Sequence, residues 1–202
     1  MLEINEFKSL KYSDLGKKEI LKEYIFNNEN IELDKNVEIK RCKFDAIIFN
    51  EVNIKFGTLE SIEFVNCDLS NLSFIDTHIS MVHFKNCKLF GTNFIDTTLN
   101  NVIIEDCMCN MINITGCKIH NSKIIYSNFK SSNIENSELK NLLLDRVNLS
   151  NSIFTSTALK GVDLSNSNIE DINIDLKCIK GAIINLEQTM DLIGLIGVKI
   201  KE

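Results

Sequence analysis

The chain has 202 residues, of which 44% are hydrophobic and 25% charged, with a formal net charge of −6. Those values fit one soluble domain or a small pair, and no stretch approaches the roughly 18 apolar residues of a membrane-spanning helix, so no membrane partner is expected. The acidic balance disfavours direct nucleic-acid binding and favours basic partners. The unusual counts are zero Pro, zero Trp and eight Gly beside 30 Ile and 26 Asn. The start, MLEINEFKSL, has neither a basic region nor an apolar core and does not read as a signal peptide. Seven Cys without an export signal then point to reduced thiols and a cytoplasmic location.

In chain order, residues 1–36 keep no period and are expected to form an irregular N-terminal cap. Ser13-Asp14 ahead of Leu15, Ile20, Leu21, Tyr24 and Ile25 fits a capped amphipathic helix. Ser13-Asp14-Leu15-Gly16-Lys17 also fits a degraded repeat unit, which makes an irregular first turn the other reading.

Residues 37–185 carry a period of five. Of the 30 positions numbered with a final 4 or 9 from Ile39 to Ile184, 29 hold Ile, Leu or Phe, and the exception is Cys109. A second column two residues earlier is small or moderately apolar (Val37, Cys42, Ile47, through Ser122, Ser127, Ser132 to Ala182), and only Lys177 in it is charged. Helices repeat at 3.6 residues and strands at 2.0, so neither buries both columns. A coil that turns a corner every five residues does, and four sides close a 20-residue turn. Turns stack by backbone hydrogen bonds at about 4.8 Å. Such a ladder excludes Pro, whose missing N–H leaves a neighbour unpaired. Asn53, Asn93, Asn113, Asn133 and Asn173 then stack on one face as an amide ladder.

Cys67-Asp68-Leu69-Ser70-Asn71, Thr92-Asn93-Phe94 and Val162-Asp163-Leu164-Ser165-Asn166 resemble the motif of the pentapeptide-repeat proteins. The resemblance covers about 37–184 and implies an all-β fold, a right-handed quadrilateral β-helix. From Val37 to Leu186 it would form a rod about 36 Å long at about 4.8 Å per turn.

Residues 186–202 are expected to close the coil. Asn185-Leu-Glu-Gln188 fits an N-cap with Gln at the third helical position. A short helix over 186–196 follows, with Gly197 ending it and a strand over 198–200. Leu186, Met190, Ile193, Ile196, Val198 and Ile200 offer more than one apolar face. One face caps the coil, and a second predicts a homodimer about a two-fold axis; the alternative is a single thick cap. This tail is similar to the end of the bacterial fluoroquinolone-resistance pentapeptide proteins. That branch, through its resemblance to B-form DNA, binds DNA gyrase and topoisomerase IV and dimerises tail to tail.

Sorting outward charges by 20-residue turn gives +3 on the face centred on Ile39, Leu59 and Ile79, and −2, −2 and −3 on the next three. The most nearly one-signed face carries Asp76, Asp96, Glu135 and Asp175 against Lys55. Adjacent faces add Glu51, Asp68, Glu105, Asp106, Glu170 and Asp171. Aligned carboxylates present an anionic field to a basic groove built for DNA; a solvated surface, or a scaffold for another protein, is the alternative. Lys85, Lys88 and Lys130 dilute the array. The stacked Cys67, Cys87 and Cys107, with Cys109 beside them, read as small core fillers and not as a metal site. No nucleophile constellation, phosphate loop or HExxH pattern occurs, so neither catalysis nor a cofactor is expected.

Overall fold

A computed structural model describes residues 8–9, 20–22, 24–27, 30–31, 37–49 and 53–198. The chain winds as a four-sided parallel β-solenoid, and each residue sits over the one twenty positions earlier. On the first side Ile39 pairs with Leu59, then Ile79, Leu99, Ile119 and Leu139. The second side stacks Phe44, Phe64, Phe84, Ile104, Ile124 and Leu144 in the same way. Strands Thr58–Val65 and His78–Lys85 run across the corner between these two sides, which joins both into one 13-stranded sheet. The third side is built of tight turns linked by single bridges, from Ile48 through Asp68, Lys88, Met108, Asn128 and Asn148 to Asn168. The fourth is a seven-stranded sheet from Asn53–Lys55 to Asn173–Ile174.

The two inner columns form the core. Every described centre from Ile39 to Ile174 is buried except Leu139, which is half-buried. Phe44, Phe64 and Phe84 stack with centroids 5.0 Å apart, and Phe74 lies 4.9 Å from Phe94. In the preceding column the small polar residues satisfy the backbone. Thr77 Oγ1 donates to the carbonyls of Ile54 and Ile75, and Thr97 Oγ1 to those of Phe74 and Ile95. Cys67, Cys87, Cys107 and Cys117 make the same pair of contacts with their thiols. Among the described residues no buried side-chain nitrogen or oxygen lacks a hydrogen-bond partner, as the cost of an unmade bond in a dry interior requires.

The five-residue period places the corners but not their backbone conformation. Among the described residues, the one two places after a centre has a left-handed backbone from Arg41 (φ 51°) to Asp171 (φ 54°), with Asn166 the exception. Twenty-two residues other than glycine adopt it, twelve of them Asn or Asp, the types that tolerate this region best. Asn abundance therefore has two sources, the corners and the outer ladders. In the fourth-side ladder Asn93 donates to Ser73, Asn113 to Asn93 and Asn133 to Asn113, at 3.1–3.5 Å.

Two expectations about the ends change. Ile20–Lys22 and Tyr24–Asn27 are strands, not an amphipathic helix, and they pair in parallel with residues eighteen places later, Ile20 with Glu38 and Ile25 with Lys43. The coil thus extends below Val37 on a turn two residues shorter than the rest. Ser13, Asp14 and Leu15 lie outside the described residues. At the other end the expected helix over 186–196 is divided into a single α turn, Thr189–Leu192, and a 3-10 turn, Ile193–Ile196. Gly197 ends it at φ 73°. Val198 is not in a strand, and Lys199 and Ile200 lie outside the described residues.

Candidate functional site

Among the described residues, the interior void between Phe94, Ile104, Ile114 and Ile124 measures about 20 Å³, too small for a substrate. Apart from Lys177, the charged side chains of the coil lie on the outer columns. Among the described residues no group of three His, Cys, Asp or Glu side chains is placed to hold a metal ion, and no helix is long and apolar enough to cross a membrane. All seven Cys are buried thiols. Burial pushes the Cys109 thiol up, and pushes Cys117 up to about 11.

Seven of the carboxylates singled out in the sequence fall into three groups. Asp76 and Asp96 occupy one corner on consecutive turns, both exposed and both left-handed (φ 47° and 50°). Their N–H groups bond the turn above, to Ile95 and Thr115, so the backbone fixes where the carboxylates project. Glu105 and Asp106 lie at the corner between the second and third sides. Asp106 is exposed, but Glu105 accepts from His83 at 2.8 Å and lies 3.4 Å from Lys85. Near the C-terminal end Glu170, Asp171 and Asp175 are all exposed. Glu135 is half-buried on the fourth side, and Glu51 lies outside the described residues.

Asp68 is partly neutralised. It lies 3.6 Å from Lys88, and Ser70 N–H donates to it at 3.1 Å. Partial burial acts to raise its carboxyl, but the Ser70 hydroxyl and N–H and the Lys88 ammonium outweigh that and hold it below the ordinary carboxylate value. Asp68, Lys88, Asp106, Ile48 and Met108 line an open groove of about 430 Å³. Asn66 and Asn86 line it too, Asn86 Nδ2 donating to Asn66 Oδ1 at 2.6 Å.

Asp175 precedes a departure from the repeat. Residues Leu176–Ile179 form one α turn, in which the Cys178 and Ile179 N–H groups bond the Asp175 carbonyl. The turn swings Lys177, the one charged residue of the inner column, out to solvent and buries Cys178 in its stead. A lysine at an inner position was the sequence signal for it.

The C-terminal cap is built from two amides. Asn185 Oδ1 accepts from Gln188 N–H and Gln188 Oε1 accepts from Asn185 N–H, both at 2.9 Å, the reciprocal box read from the sequence. Gln188 does more than close its own helix. Only 5% exposed, its Nε2 donates to the Leu164 and Ser167 carbonyls, and Asn185 Nδ2 donates to Ser165. Leu164 also accepts from Ser167 N–H; over the Ser165 and Ser167 carbonyls the side chains stand in for a further turn. Leu192 and Leu195 pack on the core. Leu186, Met190 and Val198 are exposed, at 87%, 61% and 47%. Ile193 is half-buried, while the Ile196 side chain and Ile200 lie outside the described residues.

Two family models match the chain. One, described as Pentapeptide repeat region, spans residues 57–125, and the other, Pentapeptide repeats (8 copies), spans 132–171. Together they cover more than half of it. Among solved structures the chain is similar to HetL, a pentapeptide repeat protein involved in heterocyst differentiation regulation from the cyanobacterium Nostoc sp., with a TM-score of 0.51 at 16% identity over 82% of this chain and 83% of that one. It is also similar to QnrB1, a plasmid-mediated fluoroquinolone resistance protein, with a TM-score of 0.51 at 14% identity over 90% and 99%. At such identities the likeness is one of fold. No curated protein matches the chain significantly.

Proposed function

The chain belongs to the pentapeptide-repeat proteins, and we propose that it is a non-catalytic, DNA-mimicking member that binds DNA gyrase or topoisomerase IV and protects it from fluoroquinolone-type inhibitors. The observation that carries this reading is the distribution of charge along the rod. Asp76, Asp96, Asp106, Glu170, Asp171 and Asp175 are exposed on or beside three sides, and Asp76, Asp96, Asp106 and Asp171 sit at left-handed corners. Fixed carboxylates on a rod can replace duplex phosphates in a basic channel. The likeness to QnrB1 supports the reading at the level of fold. The tail supplies the second half: Leu186, Met190 and Val198 form the apolar surface through which two copies would join.

The test is gyrase cleavage. Purified protein is expected to reduce fluoroquinolone-stabilised DNA cleavage or to inhibit supercoiling, and its binding to weaken steeply with salt. No effect at micromolar protein rejects the proposal. The second reading, a scaffold or regulator with another protein partner, is favoured by the pairing of Glu105 and Asp68 with cationic neighbours. It predicts full solubility and no effect on the topoisomerase.

A further inference from the structure

Between residues 138–146 and 158–166 the backbone ladder breaks on two of the four sides. Up to the turn carrying Leu139 and Leu144 the first two sides are extended strands, ending in Glu138–Lys140 and Leu143–Asp145. One turn higher they become tight turns, closed by Val162 N–H to Leu159 and Ser167 N–H to Leu164. Extended and tight segments differ in the spacing of their donors and acceptors, and no backbone hydrogen bond joins residues 138–146 to residues 158–166. The bonds Glu138 N–Cys117 O, Asn121 N–Lys140 O, Leu143 N–Ser122 O and Tyr126 N–Asp145 O have no counterpart a turn above. The third and fourth sides stay joined, with Leu149 N–H bonded to Asn168 and Asn173 N–H to Ser152.

The result is a slot of about 480 Å³, lined by Leu142, Leu143, Leu144 and Asp145 below and Gly161, Asp163 and Asn166 above. Its volume falls in the range of about 300–1,000 Å³ typical of binding pockets. Leu143 is 46% exposed, and Leu139 and Leu142 are half-buried where the residues twenty places before and after them are buried. One side-chain bond crosses it, Asn166 Nδ2 to Asp145 Oδ1 at 3.3 Å. On the first side the flank is a column of exposed lysines on successive turns, Lys140, Lys160 and Lys180, with exposed Lys177 below the last. Stacked like charges repel one another, so an anionic group beside them is favoured twice over. At the far end the slot carries Asp145 and Asp163.

We propose that this slot receives a short extended segment of a partner polypeptide. The segment pairs its backbone with the Leu143–Asp145 edge, sets apolar side chains on Leu142 and Leu143, and places an acidic residue against Lys140 and Lys160. Strand addition to an open edge is an established peptide-recognition mode. The charge gradient across the slot fixes the polarity: in a parallel arrangement the acidic end of the segment is its N-terminal end. The site is separate from the carboxylate groups and does not depend on topoisomerase binding.

The probe is a fluorescent acetyl-Glu-Asp-Val-Ile-Val-Thr-Lys amide, titrated with the full-length protein and followed by anisotropy. Expected are saturable binding and a loss of at least about fivefold in affinity for K140E/K160E. The same peptide with alternate backbone N-methyl groups, which removes the ladder donors without touching the protein, is expected not to bind. Absence of saturable binding overturns the proposal. So does equal binding of the N-methylated peptide, or of the inverted-order peptide with Lys first and Glu-Asp last.

Discussion

At the scale of single residues, the corners and the inner column each make a demand that side-chain identity answers. Met111 sits at a corner with φ 57° and its side chain 58% exposed. Left-handed backbone costs an ordinary residue roughly 1–2 kcal/mol, a cost Asn largely escapes. Met111→Asn is therefore expected to raise stability by about 0.5–1 kcal/mol, and Asn151→Val at φ 58° to lower it by about 1–2 kcal/mol; urea unfolding measures both. The inner thiols answer a different demand. Each of four donates to two carbonyls, and burial keeps Cys109 and Cys117 protonated. Alkylation needs the thiolate and access to it. At pH 8 iodoacetamide is expected to leave the native thiols unmodified and to label all seven in urea, as intact-mass measurement will count.

At the scale of elements, the C-terminal cap is the most exposed to a single change. Gln188→Ala removes the donors to Leu164 and Ser167 and breaks the box with Asn185. The Leu164 carbonyl keeps the Ser167 N–H, but the Ser167 carbonyl is left unpaired, at a cost of about 1–3 kcal/mol. The variant is expected to melt earlier and to associate end to end, seen as a concentration-dependent mass in light scattering. The box itself was legible, because Asn185 and Gln188 stand three apart before an apolar run. The plug was not: which carbonyls lack a further turn depends on where the coil stops, and no local pattern states that. The same holds for the carboxylates. Sorting by twenties assigned each to its side, since the register holds from Ile39 to Ile174. That Glu105 and Asp68 are drawn to His83, Lys85 and Lys88 depends on side-chain reach between turns. The slot was hidden because its cause is a switch of backbone conformation between pentads that read alike.

At the scale of the whole molecule, the rod has one apolar end and charge sorted around its axis. If Leu186 and Met190 join two copies, Leu186→Asp with Met190→Asp gives monomers by light scattering. Small-angle scattering of the parent would then show a particle roughly twice as long as a single coil. An unchanged mass for the double variant rejects the interface. The twenty-residue register has a further consequence for how such a chain can change length. Removing a whole turn, residues 90–109 for example, returns every later residue to its own azimuth, and the molecule shortens by one step without altering what it shows in any direction. Removing five residues instead rotates everything beyond the cut by a quarter revolution. The Lys140, Lys160 and Lys180 column would then stand above Ile75 and Ile95, and the segregation of charge by direction would be lost while every buried position stayed filled. The winding thus behaves as a dial with four stops: its core is indifferent to which stop is chosen, and its surface is not.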